Sequence, residues 1–511
     1  MRRLFLILGV LSVLAVSAAG ADSRRLRHPQ GCCDQTVVTR SGTSLTRRAS
    51  GLTGDVRIPI ILAAYTDVPF TVEEVCQVWD DIANKPGYSG HGAMGSMADY
   101  FLEQSRGQFR VTFDVLGPVT LPQERAYYGK NSSAYSVDSN ISRMIKDACD
   151  LAAGLPDVHF SDYDWNGDGT VETVLVVYAG VGENVKGAPS EAVWPKQSSV
   201  SHTVDGCRLS KYACANELVW PNSVQDGFGT LLHEFSHCLG LPDLYNVDSS
   251  VDDYIVFDEW DLMDGGCYAG DSWCPVGYSA YERYLCGWLE PEELTGQATI
   301  EQLKPLTDGG QAYLIRNNDN RDVDECFLLE NRQHQSFDVL LPGHGLLITH
   351  VSGYGSSTMR PNDGPELKVY PVPADDLEYR WSLKKYVQDY YGVTLPDNAL
   401  NLTSSYKTFL YDEQGRSRLM TGTAYPYVQE GVVLNDQMKR IPSKPVTDIR
   451  ETDGFISFQF MDPISALSSP TGESLQAVAY YDLHGRRLTH PAPGTVTVVR
   501  YADGSTRKIV R

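Results

Sequence analysis

The sequence predicts a mixed α/β protein in three parts: an α/β domain with a mostly parallel twisted sheet, a β-rich domain and a small β tail. Strand-like and helix-like segments alternate in the first half of the chain, a pattern typical of a largely parallel sheet. After residue 295, short strand-like runs between turn residues replace that alternation. The expected parts are a leader (1–21), a pro-segment or linker (22–54), the α/β domain (55–295), the β-rich domain (296–462), and a linker with the β tail (463–511).

The N-terminus has the features of a secretory signal peptide. Arg2 and Arg3 precede an apolar run from Leu4 to Ala19, and Ala19-Gly20-Ala21 is a small-residue cleavage site. A membrane anchor is the alternative, but the run is short and a polar segment follows it. We expect a protein without a transmembrane segment, secreted or at a bacterial cell surface. The formal net charge of -22 argues against nucleic acid and anionic membranes as partners.

The α/β domain is expected to contain buried strands and capped helices. Apolar, β-branched composition indicates the strands, and N-cap residues or terminal glycines delimit several of the helices. The predicted strands are Val56–Tyr65, Phe109–Thr120 and Thr173–Ala179. The predicted helices are Thr71–Asn84 with Thr71 as N-cap, Gly95–Arg106 before Gly107, Ser136–Ala153, and Tyr278–Cys286 before Gly287.

An acidic, glycine-containing loop precedes the third of these strands. Oxygen-bearing residues at alternate positions, with glycine sixth, are typical of loops that wrap calcium. Position twelve is Leu175, which excludes a standard EF-hand, and an acidic turn without an ion is the alternative. The candidate calcium ligands are Asp162, Asp164, Asn166, Asp168, Thr170 and Glu172.

The segment Gly229–Asp243 contains the pattern H-E-x-x-H on a helix with an apolar face. Residues four apart share a helical face, so His233 and His237 are expected to point at one ion. Gly240 predicts a left-handed helix end, after which Asp243 returns to the same ion. Two histidines and a carboxylate leave the fourth position of a tetrahedral zinc open for water. A surface helix with two solvated histidines is the alternative, but the apolar context disfavours it.

The segment Trp260–Gly266 places Met263 in a tight turn after this helix. The extended pattern H-E-x-x-H-x-x-G-x-x-D resembles the metzincin signature with aspartate as the last ligand, and this turn resembles the metzincin Met-turn. The predicted domain is therefore metzincin-like, a mostly parallel sheet with an active-site helix. Tyr268 follows and is a candidate to hydrogen-bond a developing oxyanion, with a purely structural role as the alternative.

Cysteine placement suggests both latency and disulfides. Cys32 and Cys33 precede Asp34 in the basic segment, and a thiolate is able to occupy the open position of zinc and silence it. A disulfide or an idle pair is the alternative. Cys207 with Cys214 and Cys267 with Cys274 are each expected to share a loop, and each pair is able to close a short disulfide. The eleven cysteines are an odd number, so at least one is unpaired or intermolecular.

The motifs together resemble the immune inhibitor A family of secreted bacterial metallopeptidases. The likeness extends from about Val56 to about Met461 and includes the zinc motif, the Met-turn segment and the acidic loop. The residues Gly95–Ser96, Asp99–Phe101, Gln104–Phe109, Trp194–Pro195 and Glu330–Arg332 also match the family's pattern. The resemblance implies a zinc endopeptidase with structural calcium, and Asp243 fits the family's last ligand.

The C-terminal third is expected to be rich in short strands. Strand-like runs occur at Ala298–Leu303, Gln311–Arg316, Glu325–Glu330, Gly345–His350 and Val446–Met461. His350 is expected to be structural. Beyond a Ser/Pro/Gly linker, the runs at Ala477–Leu488 and Gly494–Val510 resemble the C-terminal sorting domain of the type IX secretion route in Bacteroidetes. A plain β-hairpin end is the alternative.

The function predicted from the sequence is hydrolysis of internal peptide bonds in protein or peptide substrates by a monomer. Zinc held by His233, His237 and Asp243 would activate a water molecule, and Glu234 would act as the general base. One rival is a surface-binding protein with a vestigial metal site, and another is a zinc hydrolase of non-peptide substrates. The complete H-E-x-x-H motif favours the peptidase.

Overall fold

The computed structural model describes most of the chain between Leu52 and Met461 and four short segments beyond it. The described residues are 52–132, 138–220, 224–247, 256–316, 325–341, 343–352, 360–363, 367–371, 444, 446–461, 477–481, 487–488, 496–501 and 506–510. The expected leader, almost all of the pro-segment, and Cys32 and Cys33 lie outside these residues. The chain divides into two compact units, Met1–Met461 and Asp462–Arg511.

Strands and helices alternate in the first unit before the chain becomes strand-rich. The described helices are α1 (Val75–Asn84), α2 (Met97–Gln104), α3 (Arg125–Gly129), α4 (Ile141–Ala152), α5 (Gly229–Leu239) and α6 (Ala280–Leu285). The described strands are β1 (Gly54–Ala64), β2 (Phe109–Thr120), β3 (Thr170–Val181), β4 (Lys196–Val204), β5 (Cys207–Trp220), β6 (Val224–Gln225), β7 (Glu292–Glu293), β8 (Ala298–Leu303), β9 (Tyr313–Arg316), β10 (Glu325–Arg332), β11 (Gly345–Ser352), β12 (Val369–Pro371), β13 (Val446–Thr452), β14 (Phe455–Phe460), β15 (Ala477–Tyr481), β16 (Arg487–Leu488), β17 (Val496–Tyr501) and β18 (Thr506–Val510).

The first sheet is mostly parallel and has the order β2-β1-β3-β5-β4, with β6 paired to β5. The pairs β1–β2, β1–β3 and β3–β5 are parallel, whereas β4 and β6 run antiparallel to β5. Strands that alternate with helices have space for the crossovers that parallel pairing needs. The predicted mixed α/β fold is therefore confirmed, including its mostly parallel sheet.

The two faces of this sheet pack into separate hydrophobic cores. Ile58, Ile60 and Leu62 of β1 contribute to the core that contains the apolar residues of α5, which we call the α5 core. Ile61 and Ala63 contribute to the core that contains α4. Successive strand residues point to opposite faces, so a continuous apolar run is the expected sequence of a strand buried on both sides.

Helix α1 begins four residues later than predicted. Thr71 is not its N-cap, because its backbone amide and its hydroxyl both donate to the buried Glu217 Oε1 at 2.7 and 3.0 Å. Glu74 precedes the helix in the left-handed region at φ 48°. The distant carboxylate on β5 thus replaces the local cap. The third predicted helix also starts late, at Ile141, and residues 133–137 are outside the described part.

Strands β4 and β5 were not predicted, and they overturn one expected disulfide. Cys207 and Cys214 do not share a loop but lie on β5, where seven residues at roughly 3.3 Å each separate their Cα atoms by about 23 Å. That distance is far beyond the reach of a disulfide. The second expected pair does not form either, because Cys274 carries a free thiol, as do Cys207 and Cys214.

The β-rich part of the first unit consists of two sheets that extend the α5 core. One has the order β12-β11-β10-β9-β7 and the other the order β13-β14-β8. Leu328, Ile348 and Ile456 from these sheets belong to the same core as α5. His350 is buried on β11, with its ring 4.5 Å from that of Tyr370. The β-rich region therefore completes the hydrophobic layer beneath α5.

A buried ionic cluster also joins β10 to the segment around α6. Arg332 donates to both carboxylate oxygens of Asp338, at 2.7 and 2.9 Å, and to the carbonyl oxygen of Gly277 at 3.2 Å. Glu330 accepts the backbone amide of Ala280 at 2.6 Å. A buried ion pair is tolerated when its remaining polar atoms are also hydrogen-bonded, and these backbone groups meet that need.

The second unit contains a four-stranded antiparallel sheet with the order β16-β15-β17-β18. These strands lie within the β-like runs at 477–488 and 494–510, and the sorting role of the tail stays a prediction. Among the described residues, no helix combines the length and the apolar character that crossing a bilayer requires.

Candidate metal centre

Helix α5 carries the H-E-x-x-H pattern and is buried along its whole length. It ends at Leu239, as predicted, with Gly240 in the left-handed region at φ 103°. The amide of Gly240 donates to the carbonyl of His237 and that of Leu241 to the carbonyl of Ser236, at 3.0 and 3.1 Å. These two bonds form a Schellman motif, which reverses the chain and returns Asp243 towards the histidines.

The structure brings His233, His237 and Asp243 together. Asp243 Oδ1 lies 3.3 Å from His233 Nε2 and 3.2 Å from His237 Nε2, and the ligand atoms of the three residues all lie within 4.8 Å of one another. Ligand atoms bound to a tetrahedral zinc at 2.0–2.1 Å would lie about 3.3 Å apart. The two separations from Asp243 therefore fit the ligand spacing of a zinc ion.

Backbone carbonyls fix the orientation of both imidazoles. His233 Nδ1 lies 2.9 Å from the carbonyl oxygen of Leu262, and His237 Nδ1 lies 2.8 Å from that of Leu241. A carbonyl accepts only, so each Nδ1 carries the proton and each Nε2 presents its lone pair to the space beside Asp243. Histidine ligands in metal sites are usually oriented by this kind of hydrogen bond.

The Asp243 carboxylate is also in the state that a metal ligand requires. It is buried, and neither of its oxygens accepts a hydrogen bond of normal geometry. Burial raises the pKa of this carboxyl, but positive charge on the adjacent His237 and His233 outweighs burial and holds the pKa below its usual range. When both imidazoles are neutral, a bound cation would act in the same direction. A buried carboxylate that lacks hydrogen-bond donors is costly unless a cation compensates it. The donor set and its burial therefore suit a divalent metal.

The segment Trp260–Gly266 contacts the centre through its backbone. The carbonyl of Leu262 orients His233, and the carbonyl of Met263 accepts the amide of Leu244 at 2.9 Å. Met263 itself is buried in the α5 core. The segment Trp260–Gly266 therefore bonds both to the candidate ligand His233 and to Leu244, which follows the candidate ligand Asp243.

The remaining catalytic candidates lie on the same two elements. Glu234 is buried on α5 next to His233. Tyr268 is half-buried and ends the turn at Gly265–Tyr268, which packs against α5. Gly229 allows this close packing, because a Cβ added there would lie 2.0 Å from the carbonyl oxygen of Cys267.

The side-chain oxygens of the acidic loop make hydrogen bonds and an ion pair within the protein. Asp164 accepts the backbone amides of the four residues from Asn166 to Gly169, at 2.7–3.3 Å. Asp162 pairs with Arg57 at 2.9 Å. Glu172 accepts the amide of Trp165 and the side chain of Asn166. Among the described residues, His233, His237 and Asp243 form the one converging set of three such ligands, and it does not include this loop.

Three groups near the centre were missed by sequence reasoning. Lys211 donates to the carbonyl oxygen of Cys238 at 2.7 Å, which places a cation at the C-terminus of α5, where the helix dipole favours it. The carbonyls of Leu241 and Leu262 orient the ligands. Every residue has a backbone carbonyl, so the sequence contains no signal that distinguishes the two carbonyls that orient the histidines.

Comparisons with known proteins cover the segment that contains this site. The model of the immune inhibitor A peptidase M6 catalytic domain matches residues 77–286, which include all three candidate ligands. Pre-pro-metalloprotease PrtV of Vibrio cholerae is 24% identical over 292 residues, covering 49% of this chain and 31% of that protein. Immune inhibitor A of Bacillus thuringiensis subsp. alesti is 25% identical over 233 residues, covering 40% of this chain and 31% of that protein.

The chain thus spans about a third of the length of these curated relatives. The matched segment contains β2 to β6 and all six helices except the first two residues of α1, together with the buried His-His-Asp cluster. Residues 77–286 are thus similar to the catalytic domain of the immune inhibitor A-like metallopeptidases.

Proposed function

We propose that this chain is a secreted, zinc-dependent endopeptidase that hydrolyses internal peptide bonds of proteins. The observation that carries the proposal is the geometry of the buried ligands. The Nε2 atoms of His233 and His237 lie 3.2–3.3 Å from Asp243 Oδ1, which is the spacing of a tetrahedral zinc site. The similarity of residues 77–286 to a peptidase catalytic domain supports the same conclusion.

In this proposal the side chains have separate tasks. His233, His237 and Asp243 hold zinc, which when bound polarises the substrate carbonyl and lowers the pKa of a water molecule. Glu234 accepts a proton from the attacking water on its carboxylate and delivers it to the departing amine. Met263 supplies the apolar base of the site.

The proposal is tested by replacing the base and a ligand separately. Glu234→Gln keeps the volume of the side chain but removes the proton acceptor, so casein hydrolysis should fall by roughly 10²–10⁴-fold while bound zinc remains near one per chain. His237→Ala should lose both zinc and hydrolysis. Retention of full hydrolysis by Glu234→Gln would contradict the assigned base.

The same experiment separates the rival functions. A surface-binding protein with a vestigial site would leave casein intact even when the wild-type chain is folded and loaded with zinc. A non-peptide hydrolase would also leave casein intact, but it would cleave ester or amide model compounds in a manner that depends on Glu234. Either result would overturn the endopeptidase proposal.

Tyr268 is proposed to donate a hydrogen bond to the oxyanion that develops during attack. Its half-buried position on the turn packed against α5 supports this role. Tyr268→Phe should lower kcat with little change in KM or in zinc content. An unchanged kcat would leave Tyr268 with a structural role only.

Export and assembly are proposed from the sequence. A cleaved leader is supported by Arg2, Arg3 and the apolar run Leu4–Ala19. The basic segment 22–54 supports a pro-segment in which Cys32 and Cys33 are latency thiols. The β-like runs of the tail support a sorting role. The partners are protein or peptide substrates, and the protein is a monomer. The net charge of -22 disfavours nucleic acid. Mass spectrometry of the exported protein would identify its two ends.

We also propose that the loop at residues 162–172 binds calcium as a structural ion. Its alternating oxygen-bearing residues support this, although in the structure Asp162 pairs with Arg57 and Asp164 accepts backbone amides. Calcium would have to displace the Arg57 pair if Asp162 were a ligand. Calcium titration of the wild-type chain is the direct measurement.

A further inference from the structure

The loop that supplies the third candidate ligand is held by a residue 119 positions later in the chain. Asn362 lies in the described segment 360–363, between β11 and β12, and is fully buried. Its side-chain Nδ2 donates to the carbonyl oxygen of Leu244 at 2.9 Å. Its own backbone carbonyl accepts the amide of Val247 at 2.9 Å. One residue thus bonds to both ends of the segment Leu244–Val247, which directly follows Asp243.

Asn362 is itself fixed to the β-rich sheet. Its Oδ1 accepts the backbone amides of Lys368 and Val369, both at 3.0 Å, and its Nδ2 also donates to the carbonyl oxygen of Val369 at 2.7 Å. Val369 begins β12, which pairs with β11. The donor and acceptor groups of the Asn362 side-chain amide all bond to backbone atoms, so the side chain has little freedom to rotate.

Asp243 needs such support because no hydrogen bond to its carboxylate fixes it, so its position depends on the backbone on either side. Asp243 follows the helix end at Gly240, and neither of its oxygens accepts a hydrogen bond of normal geometry. On the far side of Asp243, the Leu244 amide is bonded to the carbonyl of Met263. The Leu244 carbonyl is bonded to Asn362. The peptide groups after Asp243 are therefore fixed from two directions.

We propose that Asn362 is a positioning residue that fixes the Asp243 carboxylate for zinc from the β-rich region. The inference rests on the proposed function, since it assigns Asn362 a task at the same centre. It also assigns the β-rich region a part in assembling the metal site. Asn362 does not touch the reacting atoms, so its effect is expected in the affinity for zinc.

Asn331 provides a matched control in the same region. It too is fully buried, and its Nδ2 donates to two carbonyl oxygens, those of Leu303 and Gly454, at 2.7 and 2.8 Å. These carbonyls belong to the β-rich region and not to the metal loop. Asn331→Asp and Asn362→Asp therefore remove the same kind of donor at equal burial, and both should lower the thermal midpoint.

The experiment compares zinc affinity in the full chain by competition with a chromophoric chelator. Asn362→Asp, and Asn362→Ser as a smaller change, should weaken zinc binding at least 10-fold relative to Asn331→Asp, the size typical for a lost outer contact of a metal ligand. The absorption bands of the cobalt-substituted protein should change in the Asn362 variants only. Equal zinc affinity in Asn362→Asp and Asn331→Asp, with wild-type zinc binding intact, would overturn the positioning role alone.

Amide hydrogen exchange tests the same coupling without a variant. Adding zinc to the metal-free wild-type chain should slow exchange at Lys368 and Val369, whose amides donate to Asn362, together with exchange at Leu244. Slowed exchange at Leu244 with unchanged exchange at Lys368 and Val369 would overturn the inference. A wild-type chain that binds no zinc would overturn the proposed function as well.

Discussion

Replacing Gly229 by alanine tests whether the contact between α5 and the turn at Gly265–Tyr268 holds the metal centre in place. In a helix, alanine is ordinarily favoured over glycine by about 0.5–1 kcal/mol. Here the added Cβ would lie 2.0 Å from the carbonyl oxygen of Cys267, whereas ordinary contact begins at 3.4 Å. The helix and the turn would have to separate by about 1.4 Å to restore ordinary contact. The contacted atom belongs to the backbone, so it is unable to move aside by a rotamer change as a side chain would.

Overpacking of this kind typically costs about 1–3 kcal/mol, which exceeds the gain in helix propensity. We expect Gly229→Ala to lower the free energy of unfolding by about 1–2 kcal/mol. The turn also follows Leu262, whose carbonyl lies 2.9 Å from His233 Nδ1, so zinc affinity should fall several-fold. Urea unfolding of the metal-free protein and chelator competition measure the two effects.

Gly296→Ala is the control, because a Cβ at Gly296 meets no atom within 4 Å and its φ is not in the left-handed region. It should leave zinc affinity unchanged and stability equal or slightly raised. A Gly229→Ala protein that unfolds at the same urea concentration as Gly296→Ala and binds zinc equally well would refute the reasoning. Helix propensity, and not the steric contact with Cys267, would then determine the effect of a substitution at Gly229.

Three further predictions concern charge and metal. Burial raises the pKa of Glu103 from 4.5 to about 7, partly offset by its hydrogen bond from Ser336, so the native state loses stability as pH rises through 7. Glu103→Gln should therefore stabilise the protein by about 2 kcal/mol at pH 8 and much less at pH 5, and an equal effect at both values in urea unfolding would contradict this. Asp243→Asn should weaken zinc binding by at least ~100-fold in chelator competition, and near-wild-type affinity would remove Asp243 from the ligand set. Calcium at 100 times its Kd should raise the free energy of unfolding by about 2.7 kcal/mol in the wild-type chain but not in Asp164→Asn, and no rise in either would exclude the loop as a calcium site.

The sequence predicted those elements whose signal is local. Strand β2 was predicted with both ends correct, because its apolar residues lie between Gly107 and a proline. The end of α5 was correct because Gly240 takes the left-handed conformation that few other residues adopt. In both cases the determining residues are neighbours in the chain.

The errors occurred where a distant partner decides the structure. Lys196 begins β4, and Asp138 at 2.8 Å compensates the burial of its charge, so a polar segment forms the edge strand of the first sheet. Thr71 has the residue type of an N-cap but bonds to Glu217 instead. A rule based on neighbouring residues does not include contacts across 58 or 146 positions.

The metal centre has the same division between what residue types encode and what the fold supplies. Histidine and aspartate are able to bind a metal through their side chains, so the spacing of His233, His237 and Asp243 was enough to make them candidate ligands. Their orientation depends on the carbonyls of Leu241 and Leu262, and any residue with the same backbone path would supply those groups. The ligand set is therefore a property of the motif, whereas the affinity for zinc should depend on the packing that fixes those peptide groups. Substitutions that shift the backbone, such as Gly229→Ala, should then weaken binding without removing any ligand, and this is the outcome that distinguishes a preorganised centre from three ligands that assemble around the ion.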